Sequence, residues 1–271
     1  LVLGVLLSGL IAAYVSPERL ARWLPRRPGA AVLAAGLAGA ALPGCECGSV
    51  PAARRLFGDG AAGPAALAFM LSAPAINPVV LVATSVAFPG HPAMVAARLI
   101  ASLLTALIMG VLWSRWGRPS WITRTLPDAH RHGSGSRWTV FGEAARHDFL
   151  QAASYLVIGA ATAALLQAMM PPWVFEHLAG HLILGVVSMA ALAFVLALCS
   201  EADAFVVASL TMVPLVPRLV FLVVGPAVDL KLVAMQTGMF GRAFTLRFAP
   251  VTLLVATTVG TAVGVLLLGG P

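Results

Sequence analysis

From Ala30 to Leu56 the chain reads AAVLAAGLAGAALPGCECGSVPAARRL, and this stretch decides the fold. Ala30–Leu42 is apolar throughout, but at about 13 residues it falls short of the roughly 20 that a helix needs to cross about 30 Å of hydrocarbon. Pro43-Gly44 breaks it, and Arg54-Arg55 returns the chain to a charged surface shortly afterwards. A re-entrant hairpin with its tip at Pro43–Gly48 fits both length and charge, provided its irregular backbone is shielded by protein or water.

Further apolar segments lie outside this hairpin, most of them longer: Pro64–Phe88, Ala93–Trp113, Phe149–Met170, Leu182–Cys199, Met212–Val224 and Leu246–Gly269. Leu1–Tyr14 is apolar from the first residue and reads as the tail of a longer span. Only 10% of residues are charged, 60% are hydrophobic, and the mean hydropathy is +0.95. A soluble domain carries about 25% charged residues, so the lipid bilayer is the expected surrounding. The net charge of +7 does not indicate nucleic acid, because the basic residues lie in short loops between apolar runs.

Two of those loops set the orientation. Arg19, Arg22, Arg26 and Arg27 mark the first, and Arg115, Arg118, Arg124, Arg131, Arg137 and Arg146 mark the second; both are expected on the cytoplasmic side. The chain then divides into a first membrane half (1–113), a basic cytoplasmic linker (114–147) and a second membrane half (148–271). Leu182–Leu210 becomes the second hairpin, entering from outside, although Leu182–Cys199 is long enough to span outright.

Landmarks recur in the same order in both halves. Cys45 through Leu56 parallels Cys199 through Leu210, Ala73-Pro74-Ala75-Ile76-Asn77 parallels Gly225-Pro226-Ala227-Val228-Asp229, and Arg98 parallels Arg247. With opposite inferred orientations, that is the pattern of an inverted-repeat transporter. The fold expected is all-α: a polytopic helical membrane protein, an inverted repeat with two re-entrant or broken-helix hairpins.

The polar residues inside apolar segments are the candidate substrate or ion path: Cys45, Glu46, Cys47, Asn77, Cys199, Glu201, Asp203 and Asp229. Cys45 and Cys47 flank Glu46 between two turn-permitting glycines, and Cys199 holds the corresponding place in the second hairpin. Thiolates suit soft cations, so Cys45, Cys47 and Cys199 form a hypothetical three-sulfur metal site; buried thiols acting as small apolar groups are the competing reading. Glu201 and Asp203 end a long apolar run, where an ionised carboxylate costs about 3 kcal/mol, so a cavity, a proton or a cationic partner is required. Arg54, Arg98, Arg247 and Lys231 are the candidate partners. Pro74, Pro78 and Pro226 are expected to break their helices and free backbone carbonyls. Trp113, Trp116, Trp121 and Trp173 fit interfacial anchors, and Gly36, Gly39 and Ala40 permit close helix contact. His130 and His132 read as part of a solvated loop.

Pro43-Gly44-Cys45-Glu46-Cys47-Gly48-Ser49-Val50-Pro51, Leu71-Ser72-Ala73-Pro74-Ala75-Ile76-Asn77-Pro78 and Cys199-Ser200-Glu201-Ala202-Asp203-Ala204-Phe205 together resemble the predicted permease family of the organoarsenical-efflux type. The resemblance runs from about Ala30 to the end. It implies a bacterial inner-membrane permease with two homologous halves, in a family some of whose members export trivalent organoarsenicals. It marks Cys45, Cys47, Pro74, Asn77, Pro78, Cys199, Glu201 and Asp203. The family usually has a neutral or small residue between its first two cysteines; this chain has Glu46.

The function expected is a secondary permease moving a small solute, a trivalent organoarsenical or other thiophilic ion, outward across the inner membrane. Proton coupling through Glu201 or Asp203 fits this expectation. No nucleotide-binding loop or hydrolase motif occurs, and no cofactor or enzymatic activity is expected. A channel, a thiol-dependent membrane enzyme and a non-transporting partner subunit are the alternatives.

Overall fold

The computed structural model describes residues 25, 27–41, 46–57, 62–122, 182–200, 202–211 and 213–269, with isolated positions at 138, 142, 146, 150 and 157. Leu1–Tyr14, Cys45, His130, His132, Trp173, Glu201 and nearly all of Phe149–Met170 lie outside the described residues.

Among the described residues the chain is all-helical. In order come α1 (Pro28–Ala41), α2 (Glu46–Leu56), α3 (Ala62–Ile76), α4 (Pro78–Ala87), α5 (Pro92–Trp116), a short 3₁₀ turn (Pro119–Trp121), α6 (Leu182–Leu196), α7 (Asp203–Ser209), α8 (Leu215–Ala227), α9 (Leu230–Phe240) and α10 (Arg242–Leu268). Among the described residues four stretches are long and apolar enough to cross a membrane: Gly63–Ala87, Pro92–Trp116, Leu215–Phe240 and Arg242–Leu268. Two of them are broken helices, α3 with α4 and α8 with α9, and each break falls a little past the middle of its span.

The broken spans are the inner ones. About 78% and 83% of their apolar stretches are buried, against 44% and 28% for α5 and α10. The outer helices instead expose Ile100, Leu104, Ile108, Val251, Leu254 and Leu266, the surface expected against lipid chains.

The breaks fall beyond Pro74 and Pro226, two of the three prolines expected to make them, and the first falls directly before the third, Pro78. Pro74 and Pro226 lie inside α3 and α8, and the helices stop at Asn77 and at Val228-Asp229. A proline removes one hydrogen bond from the preceding turn but has a helical φ itself, so the chain continues until a side chain offers a new start. Asn77 does so for α4, its side-chain oxygen accepting from the Val80 N–H at 2.9 Å, with Pro78 in the first helical position. Asp229 does so for α9, accepting from the Leu232 N–H at 2.5 Å.

Residue contacts fix the course of the first hairpin. Val32 lies beside Gly110 and Pro64, Gly36 beside Leu103 and Leu107, and Gly39 beside Ser72 and Ala73. The order of these neighbours shows that α1 runs alongside α3 in the same direction and antiparallel to α5. The return of the chain is equally plain, because Phe57, just past α2, meets Gly63 and Trp113 at the end where α1 began. The chain between Pro28 and Phe57 therefore leaves one end of the bundle and comes back to the same end. At that same end Phe57, Trp113, Trp121, Phe240, Phe244 and Phe248 form one aromatic cluster, so Trp113 and Trp121 pack on protein while Trp116 is exposed.

In the second half α6 ends at Leu196, and Ala197–Cys199 is non-helical, with Ala197 at a left-handed φ of 47°. Helix α10 runs antiparallel to α8, Gly260 facing Val220 and Val223 and Gly264 facing Val216. Helices α1, α2 and α5 pack on α3 as α6, α7 and α10 pack on α8, and each short hairpin helix also reaches the other half, α2 on α9 and α7 on α4. The expected equivalence of Arg98 and Arg247 does not extend to their surroundings: Arg98 is fully buried, whereas Arg247 lies over the Trp121 ring and donates to the Ala243 carbonyl on the outside of α10.

Close packing of α1 depends on glycine. A Cβ added at Gly39 would sit 2.8 Å from the Ala73 backbone nitrogen, which cannot move without displacing α3. Gly39→Ala should destabilise the protein by about 2 kcal/mol, seen as a lowered unfolding midpoint in detergent. Gly29→Ala, with open space around it, is the control and should leave the midpoint unchanged.

Candidate functional site

Two hairpin ends meet in the interior. Glu46 opens α2 of the first hairpin, and Ser200 lies in the connection from α6 to α7 in the second; Ser200 Oγ donates to Glu46 Oε1 at 2.6 Å. Both are almost fully buried. Cys45 and Cys47 are the chain neighbours of Glu46, and Cys199 is the chain neighbour of Ser200, so all three sulfur-bearing positions adjoin this junction in sequence.

Two cations complete it, one from each half. Lys231, in the first turn of α9, sets its Nζ 2.7 Å from Glu46 Oε2 and 3.6 Å from Asp229 Oδ2, and donates to the Ala197 carbonyl at 3.3 Å. Arg98 of α5 pairs with Asp203 Oδ2 at 2.8 Å, donates to the Ser200 carbonyl at 3.1 Å and donates to Thr84 Oγ1 of α4 at 2.8 Å. The Thr84 hydroxyl itself donates to the Val80 carbonyl at 2.7 Å, one turn earlier in α4. A continuous chain of polar contacts thus runs from one broken helix to the other: Val80, Thr84, Arg98, Ser200, Glu46, Lys231, Asp229.

The two halves are also locked in register. Glu46 meets Lys231 and, two turns on, Arg54 Nε donates to the Met239 carbonyl at 2.8 Å, so α2 and α9 lie side by side in the same direction. Buried cations of this kind need such partners, because an unpaired charge in the interior costs far more than a paired one.

The candidate path residues fall into three groups. Glu46, Asn77, Asp203 and Asp229 are buried and placed at the two breaks and the hairpin junction. Cys199 is exposed beside them. Cys45 and Glu201 lie outside the described residues, as does the Cys47 side chain, and with them most of the three-sulfur cluster. Among the described residues no three His, Cys, Asp or Glu side chains are grouped to hold a metal ion. Of the four cations offered as partners, Arg98 takes Asp203 and Lys231 takes Glu46, while Arg54 turns to a carbonyl and Arg247 to the surface. Ser200 and Thr84 were not signalled: a hydroxyl in an apolar segment usually bonds to its own helix, as Thr84 does, and sequence does not show that Thr84 also accepts from Arg98 or that Ser200 reaches Glu46. A separate, largely apolar pocket of about 450 Å³, lined by Trp113, Trp121, Leu246, Arg247 and Phe248, sits at the aromatic end, away from the buried ion pairs.

Two broken inner spans, a hairpin that comes back to the end where it began, and buried ionic groups where these elements converge are features of a polytopic membrane protein of the permease class. Residues 1–265 match the family described as predicted permease, and the chain belongs to that family. It is 37% identical over 251 residues to the UPF0718 protein YcgR of Bacillus subtilis, covering 90% of this chain and 85% of that protein. It is 30% identical over 272 residues to a putative two-component membrane permease complex subunit of Streptococcus mutans, covering 98% and 90%. No solved structure matches the chain.

Proposed function

We propose that the protein is a secondary permease of the bacterial inner membrane that moves a small thiophilic solute outward, through the junction where the two hairpin ends meet. The observation that carries this reading is the Ser200–Glu46–Lys231 contact, which joins both hairpins and both halves at one buried polar point. An inverted repeat accounts for the paired breaks at Asn77 and Asp229 and for the exchanged contacts α2–α9 and α7–α4. Rocking of one half against the other would open the junction to each side in turn. The basic residues after Trp113 and those opening α10 favour a cytoplasmic side for the aromatic end and the linker 114–147. The three cysteines that adjoin the junction in sequence favour a soft substrate such as a trivalent organoarsenical. The Streptococcus mutans relative is named as one subunit of a two-component complex, so a partner subunit also fits this chain.

Everted membrane vesicles containing the protein should accumulate methylarsenite above control vesicles, with saturation and dependence on an imposed proton gradient. The variant with Cys45, Cys47 and Cys199 all changed to Ser should lose that uptake. Uptake of methylarsenite equal to that of control vesicles would sink the thiophilic reading, and a flux that does not saturate would replace the permease by a channel.

A further inference from the structure

Asp229 is the group whose chemistry the fold does not require. Its Oδ1 caps α9 by accepting from Leu232, the task that the neutral amide of Asn77 performs for α4 in the other half. A cap needs only an acceptor oxygen, so an amide would serve α9 equally well. The second oxygen, Oδ2, is fully buried and accepts no hydrogen bond among the described residues; its neighbour is Lys231 at 3.6 Å. Lys231 is already engaged by Glu46 at 2.7 Å. One ammonium therefore faces two buried carboxylates, while the nearby Arg98–Asp203 pair is balanced by itself.

Among the described residues the remaining charges are set against other groups. From α2 come Glu46 and Arg54, the latter directed at the Met239 carbonyl. From α7 and α5 come Asp203 and Arg98, paired with each other. Helix α6 and helix α3 contribute no charged residue, and Cys199 lies in the connection beside Lys231. Arg218 of α8 donates to the Val213 carbonyl near its own start, and Arg247 of α10 sits on the surface. A buried excess of negative charge is relieved most simply by a proton.

We propose that Asp229 is the proton-exchanging group of this protein, taking one proton onto Oδ2 and releasing it, with Lys231 passing between Asp229 and Glu46 as it does so. Only an O–H bond forms and breaks. Ionised, Asp229 competes with Glu46 for the ammonium; protonated, it leaves Lys231 to Glu46. Since Glu46 belongs to the first hairpin and Asp229 to the second broken span, the proton alters how strongly the two halves hold each other. This names the coupling ion for the transport reading and rests on it for its biological sense, but not for its detection.

The test uses the whole protein reconstituted in liposomes, with infrared difference spectra recorded between acid and alkaline buffer. The wild type should show a protonated-carboxyl band that is absent from Asp229→Asn and from Asp229→Ser, both of which keep a capping acceptor. The same band in both variants overturns the proposal, and so does failure of both to fold, since the charge would then be structural. Methylarsenite uptake into everted vesicles separates the two ideas. Loss of the infrared band alongside a wild type that moves no methylarsenite would leave the proton site standing and fell the thiophilic reading. Gradient-driven accumulation that persists in Asp229→Asn would overturn the proton site and leave the permease standing.

Discussion

Arg98→Met should lower stability by about 3–5 kcal/mol, because it leaves Asp203 ionised and alone in the interior. The guanidinium holds three segments at once: Thr84 of α4, the Ser200 carbonyl before α7 and the Asp203 carboxylate. Its loss therefore removes a cross-link between halves as well as a charge. Yet only one short contact joins the ions, and Arg98 Nε and Asp203 Oδ1 find no hydrogen-bond partner among the described residues. The pair is satisfied incompletely, so removing both charges should be far milder than removing one. Thermal unfolding in detergent should rank wild type, then Arg98→Met with Asp203→Leu, then either single change. Singles that unfold with the wild type, or a double no better than the singles, would show that the pair is not buried as described.

How far the sequence foretold this arrangement depends on the kind of interaction. The apolar spans follow from composition, and the first hairpin follows from the shortness of Ala30–Leu42 and the position of Arg54-Arg55, since lipid excludes the alternatives. The neighbourhood of each break was also visible, but the exact stop was not. Proline distorts the turn before it, whereas the stop needs an acceptor side chain, and Asn77 and Asp229 supply it three residues beyond Pro74 and Pro226.

Pairing was the part that sequence withheld. Lys231 and Arg98 stand out as cations in apolar helices, but Glu46, Glu201, Asp203 and Asp229 were all available to them. Which one each takes depends on the register of α2 against α9 and of α7 against α4, and that register is set by packing far along the chain. Glu46 illustrates the point: from the sequence it is one residue of the candidate path, whereas in the structure it is the counter-ion of Lys231.

Lys231→Met should be at least as damaging, at about 3–5 kcal/mol, for a different reason. It leaves two carboxylates, Glu46 and Asp229, buried side by side with their shared cation gone. Either they repel and part α2 from α9, or they take up protons; both outcomes disturb the seam that joins the halves. Arg54 on Met239 would then be the main polar tie between these helices, at the far end of α2. Amide hydrogen exchange should accordingly quicken first at the Glu46 end of α2 and last at its Arg54 end. Stability should return in steps as the orphaned charges are removed: Lys231→Met lowest, Lys231→Met with Glu46→Gln higher, and the triple variant with Asp229→Asn highest. Recovery of folding in that triple variant without recovery of transport would separate the structural role of the cluster from its functional one. A Lys231→Met protein as stable as the wild type, with unchanged exchange in α2, would mean that Lys231 does not join the two halves.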